Sequence, residues 1–282
     1  MAASLRGVEK LPQAVTALSE ALDELGWVSD LLVAGSLATG DYVPGVSDLD
    51  LVALVAGPID STRKSDLVGI HERLDSGPAK GADLGCVYVD GARMADPAAE
   101  HPTWTHGRLV SRTLSGVTRA ELVRNGFQVF GRPPGGVLPP VTDDDVRAAA
   151  RSEVCGYWAW ASRRPWMWLS PVIADLGLTS MARGRSAMRT GRLITKSEAI
   201  GQAEAPEWLT AQLRARRRGD DARVSSGAHG VDRVEGRSKD GKGLLPTLLN
   251  VDLTSADPRA DSGGCSSRRG PGGAPRLPLE AA

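Results

Sequence analysis

Two aspartates one residue apart, Asp48 and Asp50, open the apolar run "LDLVALV", and thirteen residues before the first of them stands the pair Gly35 and Ser36. Side chains alternate along a strand, so Asp48 and Asp50 project to the same side. Carboxylate oxygens are the ligands that Mg²⁺ takes alongside substrate phosphates. A glycine where a strand gives way to a loop lets backbone N–H groups approach a phosphate closely. One half of "AGSLATGDYVPGVSDLDL" therefore suits a phosphate and the other a metal ion. A bare D-x-D is weak evidence, because acidic pairs flank strands on many surfaces; the combination is far more specific.

The elements that must position these residues follow from periodicity. Leu11, Val15, Leu18, Leu22 and Leu25 recur at helical spacing up to Gly26, a residue suited to a helix C-cap. "DLLVAG" and "LDLVALVAG" read as strands, residues 61–75 as a helix, and "LGCVYV" as a third strand. The interval 91–140 is mixed, with a helix expected from the capping-box pair Thr118 and Glu121 to Gly126, and "FQVFG" after it as a strand. "RPPGGVLPP" is a natural lobe boundary. Beyond it, Thr142 is a candidate N-cap, and Val146, Ala150, Val154, Tyr157 and Ala161 share one helical face. Further helices are expected over 172–190, 195–203 and 206–218, with Gly191 punctuating one turn. The expected architecture is an α+β lobe over 1–138, built on a mixed sheet with flanking helices, and an all-helical lobe over 139–218. Residues 219–282, rich in Gly, Ser, Pro, Arg and Asp, read as a disordered tail. The abrupt change in composition there suggests an altered reading frame or a lost segment.

Composition narrows the partners. Lys plus Arg and Asp plus Glu both number 34, so no net field draws the chain to nucleic acid or to an anionic membrane. Any anion must be caught locally. No apolar run is long enough to span a bilayer, the N-terminus lacks a secretory apolar region, and three widely spaced cysteines make a reducing cytoplasm the simplest home.

"AGSLATGDYVPGVSDLDL" resembles the signature of the DNA polymerase β superfamily of nucleotidyltransferases, a hydrophobic residue and Gly-Gly/Ser followed by a pair of acids that alternate with hydrophobics. Within that superfamily, the two-lobed layout and "TGRLITKSEAI" are similar to the streptomycin/spectinomycin adenylyltransferases, whose helical lobe carries a T-G-x-x-x-x-K-x-x-A element, here Thr190, Gly191, Lys196 and Ala199. The resemblance covers about residues 10–218. It implies transfer of AMP from Mg²⁺-ATP to a small-molecule hydroxyl such as that of an aminoglycoside, with Asp48 and Asp50 as catalytic metal ligands and Gly35, Ser36 and Lys196 toward the nucleotide. A same-fold transferase acting on a protein or nucleic acid, or a degenerate nucleotide-binding protein, is the alternative. In the family, a third acid on the following strand completes the site. Here Gly85 stands at that position, and Asp83, two residues earlier, is the candidate catalytic substitute.

Other residues weigh against chemistry. His71 lies in a polar helix and reads as solvated; His101 and His106, flanking Trp104, read as loop residues without the spacing of a zinc site. The tryptophans of "GYWAWASRRPWMWL" read as helical core, and Arg214, Arg216, Arg217 and Arg218 as a solvated helix end.

Overall fold

A computed structural model describes residues 11–220. It divides into two compact units between Asp145 and Val146. The expected disordered tail lies, from residue 221 onward, outside the described residues.

The first unit is built on six strands: β1 (Val28–Val33), β2 (Leu49–Val55), β3 (Leu84–Asp90), β4 (Glu100–Thr105), β5 (Arg108–Thr113) and β6 (Phe127–Phe130). Their order is β5-β4-β3-β2-β1-β6. β2 and β3 run parallel, and the other pairs are antiparallel, so the sheet is mixed as the sequence predicts. Four helices accompany the strands: α1 (Gln13–Asp23), α2 (Gly35–Thr39), α3 (Ser61–Ser76) and α4 (Gly116–Asn125). Val15, Leu18 and Leu22 of α1 and Leu67, Ile70 and Leu74 of α3 close over Leu49, Leu51, Ala53 and Val55 of β2. The odd-numbered residues of β2 thus belong to the core under α1 and α3, and alternation turns Asp50 to the other face.

Three local expectations need correction. Gly35 and Ser36 begin not a loop but the short helix α2, whose last residue is followed by Gly40 in the left-handed conformation. Helix α4 starts at Gly116, with the Ser115 hydroxyl accepting from the Thr118 N–H at 3.1 Å, so the cap lies three residues before Thr118. The interval 91–140 hides the hairpin β4–β5, because Arg108 to Thr113 lacks a clean apolar alternation.

A further short helix, α5 (Pro134–Val137), follows β6. The second unit is helical: most of α6 (Asp143–Glu153), one π turn over Val154–Trp158, then α7 (Ala159–Ser162), α8 (Pro171–Thr190), α9 (Lys196–Gln202) and α10 (Glu207–Arg217). Tyr157, Trp158 and Ala161 pack with Leu178, Met181, Ile200, Leu209 and Leu213, so much of the tryptophan-rich segment is core. Trp166 is the exception, at 65% exposed. The basic run is not wholly solvated either: Arg216 forms a two-point ion pair with Asp175, a partner 41 residues away that spacing could not reveal.

Candidate active site

The site grows out of the turn between β1 and β2. Val33 pairs with Leu51, and the ladder continues as the Ala34 N–H donates to the Asp50 carbonyl at 2.9 Å, which brings the next residue, Gly35, against Asp50. Gly35 has φ +61°, and a Cβ placed on it would lie 2.1 Å from Asp50 Oδ2. Both the backbone angle and the contact demand glycine. Ser36 follows, buried, with an Oγ that finds no hydrogen-bond partner among the described residues. A buried hydroxyl without a partner is costly unless something outside the chain completes it.

The intervening loop returns the chain to Asp48. The Val43 N–H donates to Ser47 Oγ at 2.9 Å, and the Ser47 N–H donates back to the Val43 carbonyl at 2.9 Å. Ser47 is buried by this turn, and it holds Asp48, half-buried, at the mouth of β2. Gly35, Ser36, Asp48 and Asp50 are therefore gathered at one end of the β1–β2 pair, with Asp50 only 8% exposed.

On the other side of Asp50 runs β3. Asp50 is in register with Gly85, on the same face of the sheet. Unlike Gly35, Gly85 has space beside it, for a Cβ there would meet only the Leu49 and Trp104 carbonyl oxygens, at 3.6 and 3.8 Å. Asp83 is exposed and precedes β3; its carbonyl accepts from the Leu49 N–H at 2.8 Å. Its negative charge is felt by Asp75 near the end of α3. Burial raises the Asp75 carboxyl above the ordinary range, a hydrogen bond from Trp104 opposes that, and Asp83 adds to the rise.

Trp104, which bonds Asp75 at 3.2 Å, belongs to a polar array that sequence reasoning missed. His71, expected to be solvated, is fully buried: it is stacked on Trp104 at 4.7 Å between ring centres, and its Nε2 lies 2.6 Å from the Tyr88 hydroxyl. Burial pushes its imidazole down to about 3, so it is neutral at physiological pH. His101 is likewise buried, inside β4, whereas His106 does sit in the β4–β5 turn, with φ +47°. A histidine at helical spacing with Leu67 and Leu74 was the available signal for His71.

In the second unit the motif around Lys196 is a helix-stop, helix-start device. Gly191, at φ +71°, ends α8, and Thr195 caps α9 in a reciprocal capping box with Glu198. Lys196 is the first residue of α9 and is half-buried.

Residues 15–87, spanning Gly35, Ser36, Asp48, Asp50, Asp83 and Gly85, match the family model described as a nucleotidyltransferase domain. The matched segment runs from α1 into β3 of the first unit. The fold is similar to that of the spectinomycin adenyltransferase AAD(9) from Enterococcus faecialis, solved with ATP and spectinomycin, with a TM-score of 0.57 at 15% identity over 73% of this chain and 88% of that one. The chain thus resembles the aminoglycoside adenylyltransferases in fold. No curated protein matches its sequence. Among the described residues no helix is long and apolar enough to cross a membrane.

Proposed function

We propose that the chain transfers AMP from Mg²⁺-ATP to an oxygen atom of a small-molecule acceptor, with release of pyrophosphate, in the cytoplasm. The observation that carries this reading is the packing of Gly35 against Asp50, which leaves room for no side chain between backbone and carboxylate. Such an approach is useful where one ligand must touch both. The residues fit a magnesium nucleotide: Mg²⁺ riding on a triphosphate takes one or two protein carboxylates, and Asp48 and Asp50 supply two. When bound there, Mg²⁺ offsets the charge of the phosphates and of the departing pyrophosphate.

The chain's own groups divide the remaining work. Ser36 Oγ, without a partner among the described residues, donates to a phosphate oxygen. Gly35 lets the phosphate chain lie close to the backbone. Asp50, pinned through its carbonyl by Ala34, and Asp48, held by the Ser47 turn, orient the donor so that the acceptor oxygen meets the α-phosphorus in line with the leaving group. Lys196 is a candidate for the triphosphate. Aminoglycoside hydroxyls are the first acceptors to test, since AAD(9) was solved with spectinomycin.

The test is an acceptor panel of hydroxyl compounds, streptomycin and spectinomycin among them, and of phosphate monoesters, read by pyrophosphate release, beside calorimetry of Mg²⁺-ATP binding. Metal-dependent ATP binding with transfer to any member supports the reading. ATP bound without transfer to any acceptor points to a nucleotide-binding protein that has lost catalysis, and labelled macromolecules would indicate a protein or nucleic-acid acceptor.

A further inference from the structure

Resting on that reading, we infer that the acceptor oxygen is already ionised when it enters the site, as in a phosphate monoester, and is not a neutral alcohol. The inference starts from residue 85. An alcohol holds its proton about as tightly as water, with a pKa of about 15.7, and efficient attack needs a base beside the oxygen. Asp48 and Asp50 are committed to the metal nucleotide. Among the strand residues beside Asp50, the position that could carry a third carboxylate on its face is residue 85, in register on the neighbouring parallel strand and only about 4.8 Å away across the sheet. That residue is glycine. Neither its backbone angle nor its surroundings require this: its φ is not positive, and a Cβ there meets nothing closer than 3.6 Å.

Asp83 does not fill the gap. It lies two residues earlier, about 6.6 Å along the strand direction, it is exposed, and its charge bears on Asp75, whose partner Trp104 stacks on His71 of α3. The α3 side is the face opposite Asp50.

A phosphate monoester needs no base, because its second pKa is about 6 and the attacking oxygen is ionised at neutral pH. A lone pair on that oxygen forms the bond to the α-phosphorus of ATP. The bond from that phosphorus to the bridging oxygen breaks, and its electron pair leaves with pyrophosphate. No proton has to be removed, and the product is a mixed diphosphate ester of AMP. Glycine at 85 helps a second time, since a carboxylate there would repel the incoming anion.

The experiment compares two acceptor classes in the full-length protein and in Gly85→Asp. Phenyl phosphate and methyl phosphate, which carry no alcohol, represent the anions; spectinomycin and streptomycin represent the hydroxyls. Transfer is followed with α-labelled ATP, and the new linkage is identified by phosphorus NMR. The expected result is a crossing. The unaltered chain forms the mixed diphosphate, whereas Gly85→Asp loses at least about tenfold of that activity and gains about 10²-fold or more toward hydroxyls. Calorimetry should show Mg²⁺-ATP binding within about twofold in the two proteins, which separates an effect on the acceptor from damage to the donor site. Robust transfer to spectinomycin by the unaltered chain, with no gain in Gly85→Asp, overturns the inference and leaves the proposed function standing. Gain toward hydroxyls in the variant without phosphate transfer in the parent also overturns it. Failure of both proteins to bind Mg²⁺-ATP overturns the proposed function itself.

Discussion

Gly35 and Gly85 stand on the two strands that flank Asp50, the first just past β1 and the second within β3, and their surroundings differ completely. At Gly35 the backbone is left-handed and a Cβ would overlap the Asp50 carboxylate at 2.1 Å; at Gly85 the backbone is ordinary for a strand and the nearest atom is 3.6 Å away. Geometry compels the first glycine and leaves the second free to vary. Residues that look equivalent in a sequence can thus carry opposite constraints, and the difference can be measured.

Asp50 lies between the two glycines, and its loss should have the largest effect on function. Asp50→Asn, and Asp48→Asn beside it, should lower metal-dependent transfer by about 10²-fold or more, since a carboxylate at the metal nucleotide is worth several kcal/mol of charge stabilisation. Thermal stability should stay nearly unchanged. Wild-type turnover in either variant, measured by pyrophosphate release, would remove these residues from the proposed metal site.

Gly35→Ala attacks the compelled glycine. Left-handed alanine and the forced displacement of Asp50 together should cost about 2–4 kcal/mol, a fall in Tm on the order of 5–15 °C, and transfer should be lost with it. A Tm within a degree or two of the parent would show that the β1–α2 turn relaxes easily and that the contrast with Gly85 is weaker than drawn.

His71, under the opposite face of the same strands, provides a control by pH. Its folded pKa, about 3, lies below the ordinary 6.5, so the unfolded chain binds the proton more readily. The stability it contributes is complete above pH 6.5 and is lost as pH falls toward 3, on the order of 5 kcal/mol over that window. His71→Phe should flatten this dependence in urea titrations. It should also cost about 1–3 kcal/mol at neutral pH, because the buried Tyr88 hydroxyl loses its partner. An unchanged slope would mean that other groups drive acid unfolding. Asp30 adds to the acid limb at the lower end of this window. Burial raises its carboxyl, but hydrogen bonds from Arg132 and Ser29 outweigh that and hold it below the ordinary range, so its contribution is present above pH 3.8 and falls away as pH drops further.

The smallest effect belongs to Gly85→Ala. With room for the methyl group and no strained angle, stability should shift by less than about 1 kcal/mol, and in the stabilising direction through the unfolded chain. A drop comparable to that of Gly35→Ala would erase the distinction between the two sites.

Much of the fold was readable without coordinates. Leucines at helical spacing mark α1, continuous apolar runs mark the buried strands β2 and β3, and Gly191 marks the turn between α8 and α9. These signals are local. Asp48, expected to share one side of a strand with Asp50, lies just before β2, which begins at Leu49. The hairpin β4–β5 escaped because its outer strand is half-exposed and polar, and the burial of His71 because its helix has little net amphipathic character.

What the residues determined by themselves is the menu: two carboxylates at a strand mouth, a Gly-Ser turn, and a third strand bearing glycine where an acid could stand. The tertiary structure decided who meets whom. The antiparallel ladder from Val33 to Ala34 sets Gly35 against Asp50, the parallel register places Gly85 rather than Asp83 beside that carboxylate, and the packing of α3 couples Asp83 to Asp75. Distances between strands depend on pairing register, a property of two segments together. No spacing within either one contains it.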